Sequence, residues 1–153
     1  MAVDWNAEVL DQVQTHWHEQ LRPRLEGLTD EELVWEPATG VTTIAWRLGH
    51  LVEGLESMNA DCFGGPPADA SDHPGTAATA LARFDDAYAA WVTGVRALGE
   101  AGLVEPQGDR SPPAFAQAPV VRVVLYTSVE LIHHGAEICL LRDLYPGSAG
   151  LTR

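Results

Sequence analysis

Apolar residues recur at helical spacing in four stretches of the chain. In the first, Leu10, Val13, Trp17, Leu21, Leu25 and Leu28 follow at intervals of three and four, which predicts an amphipathic helix. Pro23 predicts a kink or short break within it, because proline lacks a backbone donor and disfavours the helical region for Arg22. Thr29, with Glu32 three residues on and then Pro37 and Gly40, reads as a short capped helical turn followed by a loop. A second helix, capped by Thr42 or Thr43, carries Ile44, Leu48, Leu51, Leu55 and Met58 on its apolar face, with Trp46 and His50 on a neighbouring one.

Residues 64–75, GGPPADASDHPG, are rich in helix-stopping types and read as a crossover loop. In the third helix Leu81, Phe84, Tyr88, Trp91, Val95 and Leu98 alternate spacings of three and four, a narrow packing seam of the kind bundles use. Glycine and proline return from Gly99 to Pro119, and a connection of that length predicts a functional flap that covers a site. The last helix begins at or just after Pro119, runs to Tyr145 and stops at Pro146 and Gly147. Four such helices with two long connections predict an all-α four-helix bundle, a single domain over 1–153.

Composition fits that picture, since 153 residues at 46% hydrophobic suffice for one core. Charge narrows the partners. With 22 acidic residues against 9 basic ones, all arginine, the net charge is -13, which disfavours nucleic acid and anionic membranes. Cys62 and Cys139 lie far apart with no CxxC pattern, so neither a disulfide framework nor a cysteine-zinc site is expected. The first residues are polar and helix-like, and no apolar run reaches about 18 residues; the expected location is cytoplasmic.

The chemistry concentrates on the last helix. At about 100° per residue, with Glu130 set to zero, His133 falls at roughly -60°, His134 at +40° and Glu137 at -20°, forming one polar stripe. Val124, Leu125, Val129, Leu131, Ile132, Ile138 and Leu140 cover the rest, so this helix is expected to be buried nearly all round. The plain alternative is a solvated face, yet no arginine or lysine balances the two histidines and two glutamates. Glu130 and His134 are four apart and share a face, and His50 on a facing helix completes a candidate three-ligand set. Two imidazoles and a carboxylate suit a divalent transition metal, zinc foremost, and three protein ligands leave an open position. His16, His18 and His73 lack partners at ligand spacing and read as surface residues. Cys139 lies about 180° from the ligand face, and Cys62 follows the second helix, so neither is placed as a nucleophile.

In the order of its helices and in two motifs the chain resembles the DinB-like metal-binding four-helix bundles. These pair a histidine of the second helix, in a context such as TTIAWRLGHLVEG, with a fourth-helix motif that is His-x-x-x-His in most members. Here that motif reads VELIHHGAEICLLRDL, with Glu130 in the first ligand position. His, Glu and His is the ligand set of the mycothiol-dependent maleylpyruvate isomerase branch and of related thiol transferases, the larger isomerases carrying an additional C-terminal domain. The resemblance implies His50, Glu130 and His134 as ligands of a divalent metal, zinc or else nickel or ferrous iron. It leaves His133 and Glu137 to support the ligands, contact substrate or act in catalysis. An arginine-only, alanine-rich composition is what a high-GC bacterial genome gives, and such organisms use mycothiol.

The leading expectation is therefore a transferase or isomerase in which the metal activates a low-molecular-weight thiol, such as mycothiol, against an electrophilic substrate. The enzymatic alternative is a hydrolase using metal-activated water with Glu137 as base. A third reading is a non-catalytic, stress-related metal-binding or dimerising module whose fourth ligand comes from His133, Glu137 or the 99–119 segment. A homodimer is the expected assembly.

Overall fold

The computed structural model describes residues 2–68 and 75–146. His73, Gly147 and half of the 64–75 crossover lie outside them. Five α-helices form in chain order: α1 (Trp5–Thr15), α2 (Asp30–Leu33), α3 (Ile44–Phe63), α4 (Ala77–Val104) and α5 (Val121–Leu144). Among the described residues there is no strand, and α2 is a single turn, so four long helices make an all-α bundle.

The starts of α1 to α4 are each set by a polar cap, whereas α5 begins after Val120 with no side-chain cap. Asp4 accepts from the Ala7 amide, Thr29 from Glu32, Thr43 from Trp46 and Thr76 from Thr79, each satisfying an amide that the first turn leaves unpaired. Pro23 acts as the sequence predicts, with a particular remedy. After α1 the backbone widens into a π-turn over His16–Leu21 and then tightens into a 3₁₀ turn over Pro23–Leu25, with proline in its first turn.

The wide turn corrects one expectation, because it carries His16 inward: the residue is 9% exposed and bonds Gln20 Oε1 through Nδ1 at 3.1 Å. It lies against α5 at Gly135, where an added Cβ would come within 2.9 Å of His16 Nε2 and 3.0 Å of Leu21. A side chain at position 135 would press on His16 and Leu21, so glycine there lets the π-turn lie close against α5. His18 is exposed, as expected.

The pairs across the bundle give its topology. Glu56 meets Arg83, Asn59 bonds the Ala87 carbonyl and Phe63 packs on Trp91, so α3 and α4 run parallel. Parallel neighbours require a connection that returns along the whole bundle, which is why the 64–75 segment is long. Arg47 reaches Glu137 while His50 reaches Glu130, so α3 and α5 are antiparallel. Trp17 stacks on Tyr88 at 3.7 Å whereas Asn6 bonds the Val95 carbonyl, so α1 and α4 are antiparallel too. Every apolar residue read from the first stretch is buried, as are Ile44, Leu48, Leu51 and Leu55 of α3 and Phe84, Tyr88, Trp91 and Val95 of α4.

The second long connection differs from expectation in two ways. The third helix does not end at Leu98: Gly99, at φ 56° and ψ -176°, breaks it, and helix resumes to Val104. A positive φ suits glycine, which is why the break falls there. The remainder, 105–120, is no open flap. Gln107 donates its amide to the Ala118 carbonyl at 2.8 Å and its side chain to Pro119 at 3.0 Å, while Val120 donates to Glu105 at 2.9 Å. The segment packs near Cys62 at the far end of α3, about 18 Å from His50 at 1.5 Å per residue, so it does not cover the candidate ligands.

The last helix is the largest departure. Val124, Leu131, Ile138 and Leu141 are buried, but Leu125, Tyr126, Val129, Leu140 and Leu144 are exposed. Four bundle positions cover only one side of each helix, and α5 is apolar on both. No described helix is long and apolar enough to cross a membrane.

Candidate metal centre

The antiparallel register of α3 and α5 brings the sequence-predicted ligands together. His50, Glu130 and His134 each offer one ligand atom, and the three lie within 4.8 Å of one another. His50 Nε2 is 3.2 Å from Glu130 Oε2, and His134 Nε2 is 3.5 Å from the same oxygen. A tetrahedral zinc with bonds of about 2.0–2.1 Å spaces its ligand atoms about 3.3 Å apart. The donor set and its spacing therefore fit a divalent ion. His50 is 44% exposed at its side chain and His134 14%, so the cluster opens to solvent on one side only.

His134 is held by Glu137, one of the two groups the resemblance left to support the ligands, and through it by Arg47, which the sequence reading missed. His134 Nδ1 lies 2.7 Å from Glu137 Oε2, so the ring donates there and leaves Nε2 free to ligate. Glu137 in turn accepts from Arg47 Nε at 2.9 Å. Arg47 is itself tied to the Thr42 and Thr43 carbonyls at the start of α3, with its side chain only 11% exposed. Burial pushes the Glu137 carboxyl up, but the bonds from His134 and Arg47 outweigh it and hold the group below its ordinary range. His133 is 63% exposed and 3.6 Å from Glu137. Trp46 lies nearly parallel to the His50 ring, 5.5 Å away, and edge-on to His134.

A groove of about 400 Å³ runs from His50 and Glu130 between α3 and α5, past Glu53, Ser57, Met58 and Tyr126. Next to it the Tyr126 hydroxyl is pushed up by the Glu130 charge. A larger cavity, about 1200 Å³, opens between α3 and α4 around Phe63, Ala90 and Gly94. It contains none of the clustered ligand groups, so chemistry rather than volume marks the site. Cys62 and Cys139 are free and half-buried, and burial raises both thiols. Neither belongs to the cluster.

The Arg47 link yields a test. Arg47→Met removes the charge that orients Glu137 without touching a ligand atom. Metal affinity is expected to fall about 10–100-fold, measured by competition with a chromophoric chelator.

The comparisons agree with this architecture. The chain superposes on the crystal structure of a conserved protein from Enterococcus faecalis with a TM-score of 0.65 and 15% identity, over 95% of this chain and 99% of that one. At that identity the likeness concerns the fold alone. No curated protein matches the chain. The DinB superfamily model matches residues 12–138, a span that holds His50, Glu130, His134 and all of their supporting groups. The chain belongs to the DinB superfamily.

Proposed function

We propose that the protein is a divalent-metal-dependent transferase that presents a low-molecular-weight thiol, of the mycothiol type, to an electrophile. The observation that carries this reading is the three-ligand cluster, open on one side, beside a groove and with no protein thiol in reach. His50, Glu130 and His134 hold the ion, zinc being best suited to the donor set. Bound there, the metal supplies an open coordination position that lowers the pKa of an incoming thiol.

The chain's own residues then have limited tasks. Glu137, held ionised by Arg47, fixes the tautomer of His134. Its lowered pKa and its two bonds make it a poor proton acceptor, which favours positioning over the role of base that a hydrolase would need. His133 lies 3.6 Å from the same carboxylate on the outer side of the helix, a second support for Glu137. Glu53, Ser57 and Tyr126 line the groove with hydrogen-bonding groups suited to a hydroxylated thiol.

Turnover distinguishes the readings. Zinc-loaded protein given an alkylating electrophile is expected to form the thioether only when a thiol is added. Steady hydrolysis of an ester or amide without thiol would instead establish the hydrolase, and full metal occupancy with neither activity the non-catalytic module.

A further inference from the structure

The solvent side of α5 has the pattern of a buried one. Tyr126, Val129, His133, Ala136 and Leu140 alternate spacings of three and four, with Arg122 preceding and Leu144 following. They occupy the sector from about -40° to -120° relative to Glu130, at 100° per residue, opposite the face packed into the bundle. Tyr126, Val129, Leu140 and Leu144 are between 56% and 59% exposed, and Leu125 beside them 44%. A helix apolar on all sides is a buried helix, and the monomer covers only half of this one.

We infer that a second copy of this chain covers the face, with the two α5 helices packed antiparallel across a two-fold axis near His133. The seam is self-complementary about that point. Tyr126 of one copy meets Leu140 of the other, Val129 meets the small Ala136 region, and the two His133 side chains lie at the crossing. Such an alternating seam is what helix pairs interdigitate through.

Charge selects the direction. Arg122 stands in the first turn of α5 and Asp143 in the last, with 63% of the Asp143 side chain exposed although Arg24 binds it at 2.6 Å. Antiparallel packing sets Arg122 of each copy near Asp143 of the other and opposes the helix dipoles. Parallel packing would instead align like charges and like dipoles. Side chains of this size, half exposed, present on the order of 600 Å² per copy, near the roughly 800 Å² per partner of a standard interface.

Sedimentation equilibrium of the full chain at micromolar concentration is expected to give the mass of two chains. Val129→Glu, at a position exposed in the monomer, should give a single-chain mass with unchanged helical circular dichroism. Direction is read in a Cys62→Ser, Cys139→Ser background, by mixing Tyr126→Cys and Leu140→Cys proteins under oxidised glutathione. Disulfides between unlike variants support the antiparallel pair. A monomeric wild type, a dimer indifferent to Val129→Glu, or disulfides only between like variants would overturn it.

Discussion

His134→Ala is expected to strip the protein of metal, lowering affinity by more than about 100-fold, beyond the range for removing a supporting group. His134 is the most enclosed of the three ligands, with Nδ1 committed to Glu137 and Nε2 facing Glu130. Alanine deletes one donor and unties Glu137. Glu130→Ala should act comparably, because the Glu130 carboxylate oxygen lies between both imidazoles. Elemental analysis after equal dialysis reads the result, and full occupancy in both variants would refute the ligand assignment.

The second large effect concerns the scaffold. Arg142 and Glu32 are each 5% exposed at the side chain and paired at 2.8 and 3.2 Å, and Arg142 also bonds the Arg24 and Glu26 carbonyls. This network fastens α2 and the 3₁₀ turn onto the end of α5. Arg142→Ala leaves a buried carboxylate and two carbonyls without their donor, and breaking such a pair from one side costs about 3–5 kcal/mol. Urea denaturation should show that loss as a lower midpoint with an unchanged slope. A double change to apolar residues, Arg142→Met with Glu32→Leu, is expected to recover much of it, because no charge is then left buried.

How much of this was legible in the sequence depended on range. Local periodicity gave the buried faces of α1, α3 and α4, since burial of one side imposes the spacing seen at Leu10 to Leu28 and at Leu81 to Leu98. Thr29 and the Thr42–Thr43 pair marked their helix starts because capping is chemistry within four residues, and the structure selects Thr43. That His50, Glu130 and His134 come together was readable, since Glu130 and His134 share a turn and the resemblance adds His50.

Arg47 was not readable. It sits three residues before His50, and nothing local distinguishes it from a solvated arginine; only the antiparallel register of α3 and α5 delivers it to Glu137. The 105–120 segment misled because glycine and proline mark irregular backbone without showing whether it is pinned, and Gln107 pins it. Likewise, apolarity all round α5 predicted burial without saying by what. His16 failed for a third reason, since a π-turn shifts the helical phase that places side chains in or out.

Cobalt substitution tests the proposed activation of a thiol at the metal centre. Sulfur ligation to cobalt(II) produces an intense near-ultraviolet charge-transfer band, so titrating mycothiol into the cobalt-loaded protein across pH reports both binding and ionisation. The thiol pKa is expected to fall from about 8.5 to below neutrality, with the band half-developed below pH 7 and absent from the His134→Ala variant. A wild-type protein that binds cobalt yet develops no such band with any low-molecular-weight thiol would contradict the claim.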